Sequence, residues 1–108
     1  MYFVKKRIEL AGAHCLCLDY ESKCSNIHGH NWIITVYCKS DALNQNGMVI
    51  DFTQIKEKVM TLDHKNLNEV FDFNPTAENI ARWLVDNIPK CYKVNVIESE
   101  NNEATYEI

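Results

Sequence analysis

The feature that most constrains the fold is a strand-type alternation of apolar and polar residues at both ends of the chain. Between Tyr2 and Leu10 most charged side chains have one parity, and the other parity is mainly apolar, with Tyr2, Val4, Ile8 and Leu10. This is the two-residue period of a half-buried β-strand. The segment from about Ile27 to Cys38 alternates similarly and is rich in β-branched and aromatic residues. Alternation returns in two C-terminal runs separated by a polar turn at 100–102. The apolar positions of these runs are Tyr92, Val94, Val96, Ala104, Tyr106 and Ile108.

Two helices are predicted between these strand pairs. Apolar residues recur at helical spacing after a short apolar run at 48–50, and Asp51 or Thr53 can cap the first turn. A second helix is expected to have Asn74 as its N-cap and Pro75 at its first position, and to end before Pro89. The apolar stripes are Phe52, Ile55, Val59 and Leu62 in the first helix and Ile80, Trp83, Leu84 and Ile88 in the second.

The resulting order is ββααββ, which predicts a single α+β domain over residues 1–108. Strands grouped at the two ends around two helices favour an antiparallel sheet with both helices on one face. The edge strands of such a small sheet present free N–H and C=O groups, which invite pairing with another subunit. We therefore expect a homo-oligomer in which the sheets of several subunits join into a barrel.

Composition narrows the class of partner. The formal net charge is −4 and the 11 basic residues are scattered, which argues against a nucleic-acid surface and is compatible with a small anionic substrate. No apolar run reaches the roughly 18–20 residues that span a bilayer, and residues 1–10 alternate instead of resembling a signal peptide. We expect a cytoplasmic protein without nucleic-acid or membrane partners, whose five cysteines are thiols.

Three histidines are the candidate metal ligands. In His28-Gly29-His30, the strand period places both imidazoles on the same side of the second strand. His14 has the parity of Ile8 and Leu10, so it joins them if the first strand continues past Leu10. Three protein ligands with one open position are typical of catalytic zinc, whereas structural zinc sites are usually closed by four. A lone histidine is more often a hydrogen-bonded core or surface residue, and it is the clustering that favours a metal site.

Cys24 lies four residues before His28 and has two functional interpretations. It is either a fourth zinc ligand, which would make the site structural, or a thiolate base or nucleophile beside the metal. Spacing alone does not separate them. Cys38 and Cys91 are expected to be small buried hydrophobic residues within or beside strands, and Cys15 and Cys17 have no assigned role.

Three further residues are candidates for acid-base chemistry or substrate binding. Asp63 precedes His64 in the loop between the predicted helices and can orient it or raise its basicity, although an Asp-His pair is commonly a solvated loop. Glu98 shares the parity of Val94 and Val96, which places a carboxylate at the end of an apolar strand face. Such a carboxylate can accept two hydrogen bonds from an amino-pyrimidinone edge, or it can be an ordinary solvated glutamate.

Taken in order along nearly the whole chain, these motifs are similar to those of a known family. The matching segments are Ala13-His14, Cys24-x3-His28-Gly29-His30-Asn31, Asp51-Phe52, Leu62-Asp63-His64-Lys65-Asn66-Leu67-Asn68, Pro75-Thr76-x-Glu78-Asn79 and Glu98. The sequence resembles the 6-pyruvoyltetrahydropterin synthase and 6-carboxytetrahydropterin synthase family. The resemblance implies the tunnelling fold, in which ββααββ subunits join their sheets into a barrel, usually as trimers stacked into hexamers.

The resemblance also implies roles for individual residues. In the family's pattern, His14, His28 and His30 bind Zn²⁺, and Cys24 is the proton acceptor. His64 and Asp63 form a second acid-base group, Glu98 anchors the pterin ring, and Thr76 lies near the pterin, in the site of the same or a neighbouring subunit. One departure concerns Cys15, where many members have an arginine, so the resemblance does not identify the residues that contact the triphosphate.

The short Cys-x3-His spacing resembles the bacterial 6-carboxytetrahydropterin synthases. These convert 7,8-dihydroneopterin triphosphate into 6-carboxy-5,6,7,8-tetrahydropterin with release of acetaldehyde and triphosphate, in the synthesis of 7-deazaguanines such as queuosine. The implied activity is thus a zinc-dependent lyase of this type. The alternative is a 6-pyruvoyltetrahydropterin synthase, which eliminates triphosphate, because segments 62–67 and 92–102 resemble that type equally. A zinc- or pterin-binding module without turnover is a third interpretation.

Overall fold

The computed structural model describes residues 1–108 and confirms the predicted α+β architecture. Its elements are β1 (Tyr2–His14), β2 (His28–Ser40), α1 (Phe52–Met60), β3 (Lys65–Asn66), α2 (Leu67–Val70), α3 (Ala77–Asn87), β4 (Cys91–Ser99) and β5 (Asn102–Glu107). A single 3-10 turn, Lys23–Ser25, interrupts the connection between β1 and β2. None of the helices is both long and apolar enough to cross a membrane.

The five strands form one sheet in the order β3-β1-β2-β4-β5. The four long strands are antiparallel, as predicted, whereas the two-residue β3 pairs parallel with β1. The β1–β2 pairing runs without a break from Tyr2 opposite Ser40 to His14 opposite His28. Because this long hairpin has no bulge, side-chain parity is preserved to the end that the loop 15–27 connects, and the candidate metal ligands lie there.

The core lies between the sheet and α1 and α3, which pack on one face of it. Alternate residues of β1, β2 and β4 are buried there, and each helix contributes most of the apolar stripe that its spacing predicts. Burying an aliphatic side chain of this size contributes about 1.5–3 kcal/mol, so the core fixes the strand register. Its fully buried members include Trp32, Ile34, Val36, Ile55, Val59, Ile80, Leu84, Val94 and Val96.

The start of α3 differs from the prediction, which placed the N-cap at Asn74. The N-cap is Thr76, and its side chain accepts a hydrogen bond from Asn79 N at 3.1 Å. Thr76 has an extended backbone with ψ 159° and leaves Ala77 as the first helical residue. Pro75 therefore precedes the cap, and the Asn74 side chain is free to bond elsewhere.

The side-chain parity predicted at the start of β4 is also wrong. A register shift next to the Tyr37–Lys93 pair makes Cys91 the partner of Cys38. Cys91 is therefore buried, whereas Tyr92 packs edge-on against Phe3 on the other face of the sheet. An extra residue in one strand reverses the parity on either side of it.

Two predicted apolar positions lie outside the core. Phe52 and Ile108 are both exposed, because Phe52 is the first residue of α1 and Ile108 lies beyond the end of β5. Leu62 is buried as expected but follows the end of α1. Cys38 and Cys91 are buried thiols, as predicted.

Candidate metal centre and active site

The histidine cluster is a direct product of the β1–β2 register. His14 lies opposite His28, and Gly12 lies opposite His30, so three imidazoles meet at the end of the hairpin. Their ring centroids are 4.6 Å (His14–His28), 5.2 Å (His14–His30) and 4.9 Å (His28–His30) apart. With one oxygen of Glu98, their potential ligand atoms all lie within 4.8 Å of one another. The extension of β1 past Leu10 therefore brings the three predicted ligands together.

Backbone carbonyls set the tautomers of two of these histidines. Nδ1 of His14 lies 2.7 Å from the Pro75 carbonyl oxygen, and Nδ1 of His28 lies 2.8 Å from that of Asn26. A carbonyl oxygen only accepts, so each Nδ1 must carry the proton and donate it. This leaves the lone pair of each Nε2 available, which is the usual arrangement of a metal-binding histidine.

The remaining ring nitrogens support a metal site for a second reason. Nε2 of His14 and Nε2 of His30 are both buried and make no hydrogen bond. A buried polar atom without a partner is rare and costs free energy. Burial lowers the pKa of His30, with the neighbouring His14 and His28 adding to the effect and Glu98 opposing it. The neutral imidazole that results is the form that binds metal, so these residues fit a metal ion.

Glu98 brings a carboxylate to the same cluster. Its Oε1 lies 3.0 Å from His14 Nε2 and 3.3 Å from His30 Nε2, although neither contact has hydrogen-bond geometry. Glu98 stands near the end of β4, on the face that carries Val94 and Val96, as its parity predicts. It also lines a cavity of about 320 Å³ with Glu78 and the β4–β5 turn. The carboxylate therefore links the histidine cluster to that cavity.

Cys24 occupies the 3-10 turn between β1 and β2. The Ser22 hydroxyl caps this turn by accepting a hydrogen bond from Cys24 N at 3.1 Å, and the thiol residue is half-buried. Its sulfur is not among the mutually close ligand atoms of the three histidines and Glu98. This placement argues against Cys24 as a fourth ligand.

The Asp63-His64 pair is hydrogen-bonded to β1. Asp63 Oδ1 accepts a hydrogen bond from Ala11 N at 3.0 Å, and His64 N donates to the Ala11 carbonyl at 2.7 Å. The second Asp63 oxygen lies 3.6 Å from His64 Nε2. His64 has φ 55°, a conformation that non-glycine residues rarely adopt and that often accompanies function. One carboxylate oxygen of Asp63 thus anchors the loop to β1, and the other faces the His64 imidazole.

The His64 imidazole is exposed, and it lines a cavity together with one residue of the histidine cluster, His30. This cavity, of about 540 Å³, is lined by His64, Lys65 and His30 and by the ends of β1 and β2. A molecule bound there can contact both His30 and His64. Thr76, in contrast, directs its hydroxyl to Asn79 N, and its neighbours Ala77 and Glu78 line the Glu98 cavity.

Sequence reasoning missed the polar groups that fix these side chains. The carbonyls of Asn26 and Pro75 have no sequence signal, because every residue carries one. Two asparagines, Asn68 and Asn74, bond the backbone just after His14. Asparagine is common in turns and caps, so its presence alone does not reveal a contact with a distant loop.

The fold and the site together define a class of protein. It is a small α+β domain with a cluster of histidines and a carboxylate at the end of its sheet. Residues 3–108 match the family model described as 6-pyruvoyl tetrahydropterin synthase. The chain belongs to this family, as the sequence resemblance predicted.

The chain is similar in sequence to a 6-carboxy-5,6,7,8-tetrahydropterin synthase and in structure to a 6-pyruvoyl tetrahydropterin synthase. The 6-carboxy-5,6,7,8-tetrahydropterin synthase of Synechocystis is 32% identical over 121 residues, which cover 98% of this chain and 93% of that protein. A relative from Pyrococcus horikoshii is 43% identical over 68 residues, which cover 59% of this chain and 43% of the relative. The chain thus aligns with less than half of that relative. The solved structure of the Caenorhabditis elegans 6-pyruvoyl tetrahydropterin synthase has a TM-score of 0.77 and 26% identity, covering 99% of this chain and 95% of that one.

Proposed function

We propose that this chain is a zinc-dependent lyase that converts 7,8-dihydroneopterin triphosphate and one water molecule into 6-carboxy-5,6,7,8-tetrahydropterin, acetaldehyde and triphosphate. The observation that carries the proposal is the meeting of three imidazoles and the Glu98 carboxylate within 4.8 Å. Two Nδ1–carbonyl hydrogen bonds direct the corresponding Nε2 lone pairs toward a ligand. Family membership supports the pterin substrate.

His14, His28 and His30 would hold the metal. Three neutral imidazoles form a ligand set that suits Zn²⁺ and leaves one position for substrate oxygen. Bound zinc supplies a Lewis acid that acidifies the side-chain hydroxyls of the substrate and stabilises developing negative charge. The histidines contribute position, since the carbonyls of Pro75 and Asn26 restrain two of the rings.

Cys24 is proposed as the base that removes a proton from carbon in the substrate side chain. Only the thiolate can act in this way, and a positive charge nearby would favour it near neutral pH. The position of Cys24, outside the group of close ligand atoms, agrees with a base better than with a fourth ligand.

His64 and Asp63 are proposed as the second acid-base group, which handles a hydroxyl proton. The cavity shared by His64 and His30 supports this assignment, because a substrate there can contact both groups. Asp63 contacts the imidazole and anchors the loop to Ala11. A carboxylate that faces an imidazole limits its rotation.

Glu98 is proposed to anchor the pterin in the adjoining cavity. A carboxylate accepts two parallel hydrogen bonds from the amino-pyrimidinone edge. Glu98 lines this cavity and lies beside the histidine cluster. Thr76 is proposed to lie at the rim of the pterin site, next to the cavity residues Ala77 and Glu78. Its hydrogen bond to Asn79 N indicates a structural contribution as well.

The 6-pyruvoyl activity is the second candidate, because the structural alignment with the C. elegans 6-pyruvoyl tetrahydropterin synthase covers 99% of this chain. The Cys24-x3-His28 spacing and the Synechocystis relative favour the 6-carboxy product, with a place in queuosine synthesis. We further propose a cytoplasmic homohexamer of stacked trimers. β5 supports subunit pairing, because it is an edge strand that only β4 pairs.

The test is to incubate the zinc-loaded protein with 7,8-dihydroneopterin triphosphate and identify the products by mass. We expect 6-carboxytetrahydropterin and an equal amount of acetaldehyde. A pyruvoyl product without acetaldehyde would replace this assignment with the second candidate. Unchanged substrate from a zinc-loaded, folded protein would refute the enzymatic proposal and favour a binding module.

A further inference from the structure

The chain leaves the sheet after His14, and residues 15–17 have no strand partner. The side chain of Asn68 takes the place of a strand partner for Cys15. Cys15 N donates to Asn68 Oδ1 at 2.8 Å, and Asn68 Nδ2 donates to the Cys15 carbonyl at 2.9 Å. One side-chain amide thereby satisfies both backbone groups of Cys15, as a residue of a neighbouring strand would.

Asn74 repeats this arrangement two residues further along. Cys17 N donates to Asn74 Oδ1 at 2.8 Å, and Asn74 Nδ2 donates to the Cys17 carbonyl at 3.1 Å. The adjacent Pro75 carbonyl accepts from His14 Nδ1. Five hydrogen bonds therefore join the two asparagines and Pro75 to the segment 14–17.

This segment in turn holds the proposed base. Between the two asparagine contacts, Leu16 N donates to the Cys24 carbonyl at 2.8 Å. That bond spans the loop from β1 to the 3-10 turn and fixes the Cys24 backbone against the end of β1. The placement of Cys24 relative to His14 thus depends on how firmly residues 15–17 are held.

Both asparagines are themselves restrained. Asn66 Oδ1 accepts from Asn68 N at 3.1 Å, and Asn79 Nδ2 donates to the Asn74 carbonyl at 2.9 Å. Asn68 lies in α2, and Asn74 lies three residues before α3. Helix α2 and the segment just before α3 therefore supply two restrained side-chain amides to residues 15–17, which have no strand partner.

We propose that Asn68 and Asn74 are positioning residues for Cys24, acting through the backbone of residues 15–17. The inference rests on the proposed function, because it takes Cys24 as the base. A base displaced by about 1 Å typically costs about 100-fold in rate. Neither asparagine is a catalytic residue, since neither contacts the histidine cluster.

The test uses Asn68→Ala and Asn74→Ala, with Asn87→Ala as the matched control. Asn87 lies in α3, and its amide donates to the Trp83 carbonyl at 2.7 Å, so the control loses an asparagine bond on an exposed surface. We expect both test variants to lose about 10- to 100-fold in kcat with KM and zinc content within twofold of wild type. The control should match wild type.

A second readout does not depend on turnover. The rate of iodoacetamide alkylation at Cys24, located by peptide mass mapping in the zinc-loaded protein, should change at least threefold in both test variants and stay unchanged in Asn87→Ala. Hydrogen exchange of peptides covering residues 15–24 should quicken in the same two variants. These measurements test the positioning role even if wild type does not consume the pterin, which would count against the proposed function alone.

Wild-type kcat, Cys24 alkylation and exchange in both alanine variants would overturn the inference. Loss of zinc together with activity would also overturn it, because the asparagines would then support the metal ligands and not Cys24. If an alanine variant does not fold, Asn68→Asp takes its place. Aspartate keeps the acceptor for Cys15 N and loses the donor to the Cys15 carbonyl, so an intermediate loss of kcat is expected, and wild-type values would refute the role.

Discussion

Metal removal is the perturbation whose effect on the fold follows most directly from the structure. Nε2 of His14 and Nε2 of His30 are buried without hydrogen-bond partners. An ion bound by these nitrogens would satisfy both atoms only in the folded state, because the β1–β2 register brings them together. Binding to the native state should therefore raise the free energy of unfolding.

The magnitude follows from mass action. Free zinc at about 100 times its dissociation constant adds about 2.7 kcal/mol to the free energy of unfolding. A domain of this size gains about 4 °C in Tm per kcal/mol. Addition of zinc to chelator-treated protein should therefore raise Tm by roughly 10 °C, measured by calorimetry or circular dichroism.

Two variants make this prediction specific. His28→Ala removes one member of the cluster and should abolish most of the zinc-induced rise in Tm. His64→Ala should leave the rise intact, because His64 lies outside the group of close ligand atoms. The reasoning is refuted if wild type shows no rise, or if His28→Ala keeps the full effect.

Two other predictions concern individual side chains. Cys24→Ala should lose turnover by at least 100-fold and keep its zinc, measured by metal analysis beside the activity assay; loss of zinc would restore the fourth-ligand interpretation. Thr76→Ala should lower the free energy of unfolding by about 1 kcal/mol, because it removes the acceptor for Asn79 N at the start of α3. Thr76→Ser keeps that acceptor and should unfold in urea close to wild type; equal losses in both variants would exclude the cap as the cause.

The histidine cluster was predictable because its geometry depends on a local period. His28 and His30 share a face at a spacing of two in any strand, and His14 joins them once β1 continues past Leu10. The unbroken β1–β2 register then carries the parity to the cluster. The parity of Glu98 was likewise readable, but its contact with His14 depends on how β4 pairs with β2, which the sequence does not specify.

The failures have equally specific causes. The predicted face of Tyr92 is wrong because a bulge changes the parity of β4, and no glycine or proline marks this bulge in the sequence. The pair Asn74-Pro75 suits the start of a helix, but the Asn74 side chain hydrogen-bonds the backbone of Cys17, 57 positions earlier in the sequence. Contacts of that kind depend on the packed fold and produce no periodic pattern in the sequence.

The most direct test of the central claim is reconstitution of activity from the metal-free protein. Chelator-treated protein should release no acetaldehyde from 7,8-dihydroneopterin triphosphate, and one equivalent of zinc per chain should restore release at the rate of untreated protein. His28→Ala should not respond to the same addition. Full acetaldehyde release by protein shown to contain no metal would contradict the assignment of His14, His28 and His30 as the ligands of a catalytic zinc.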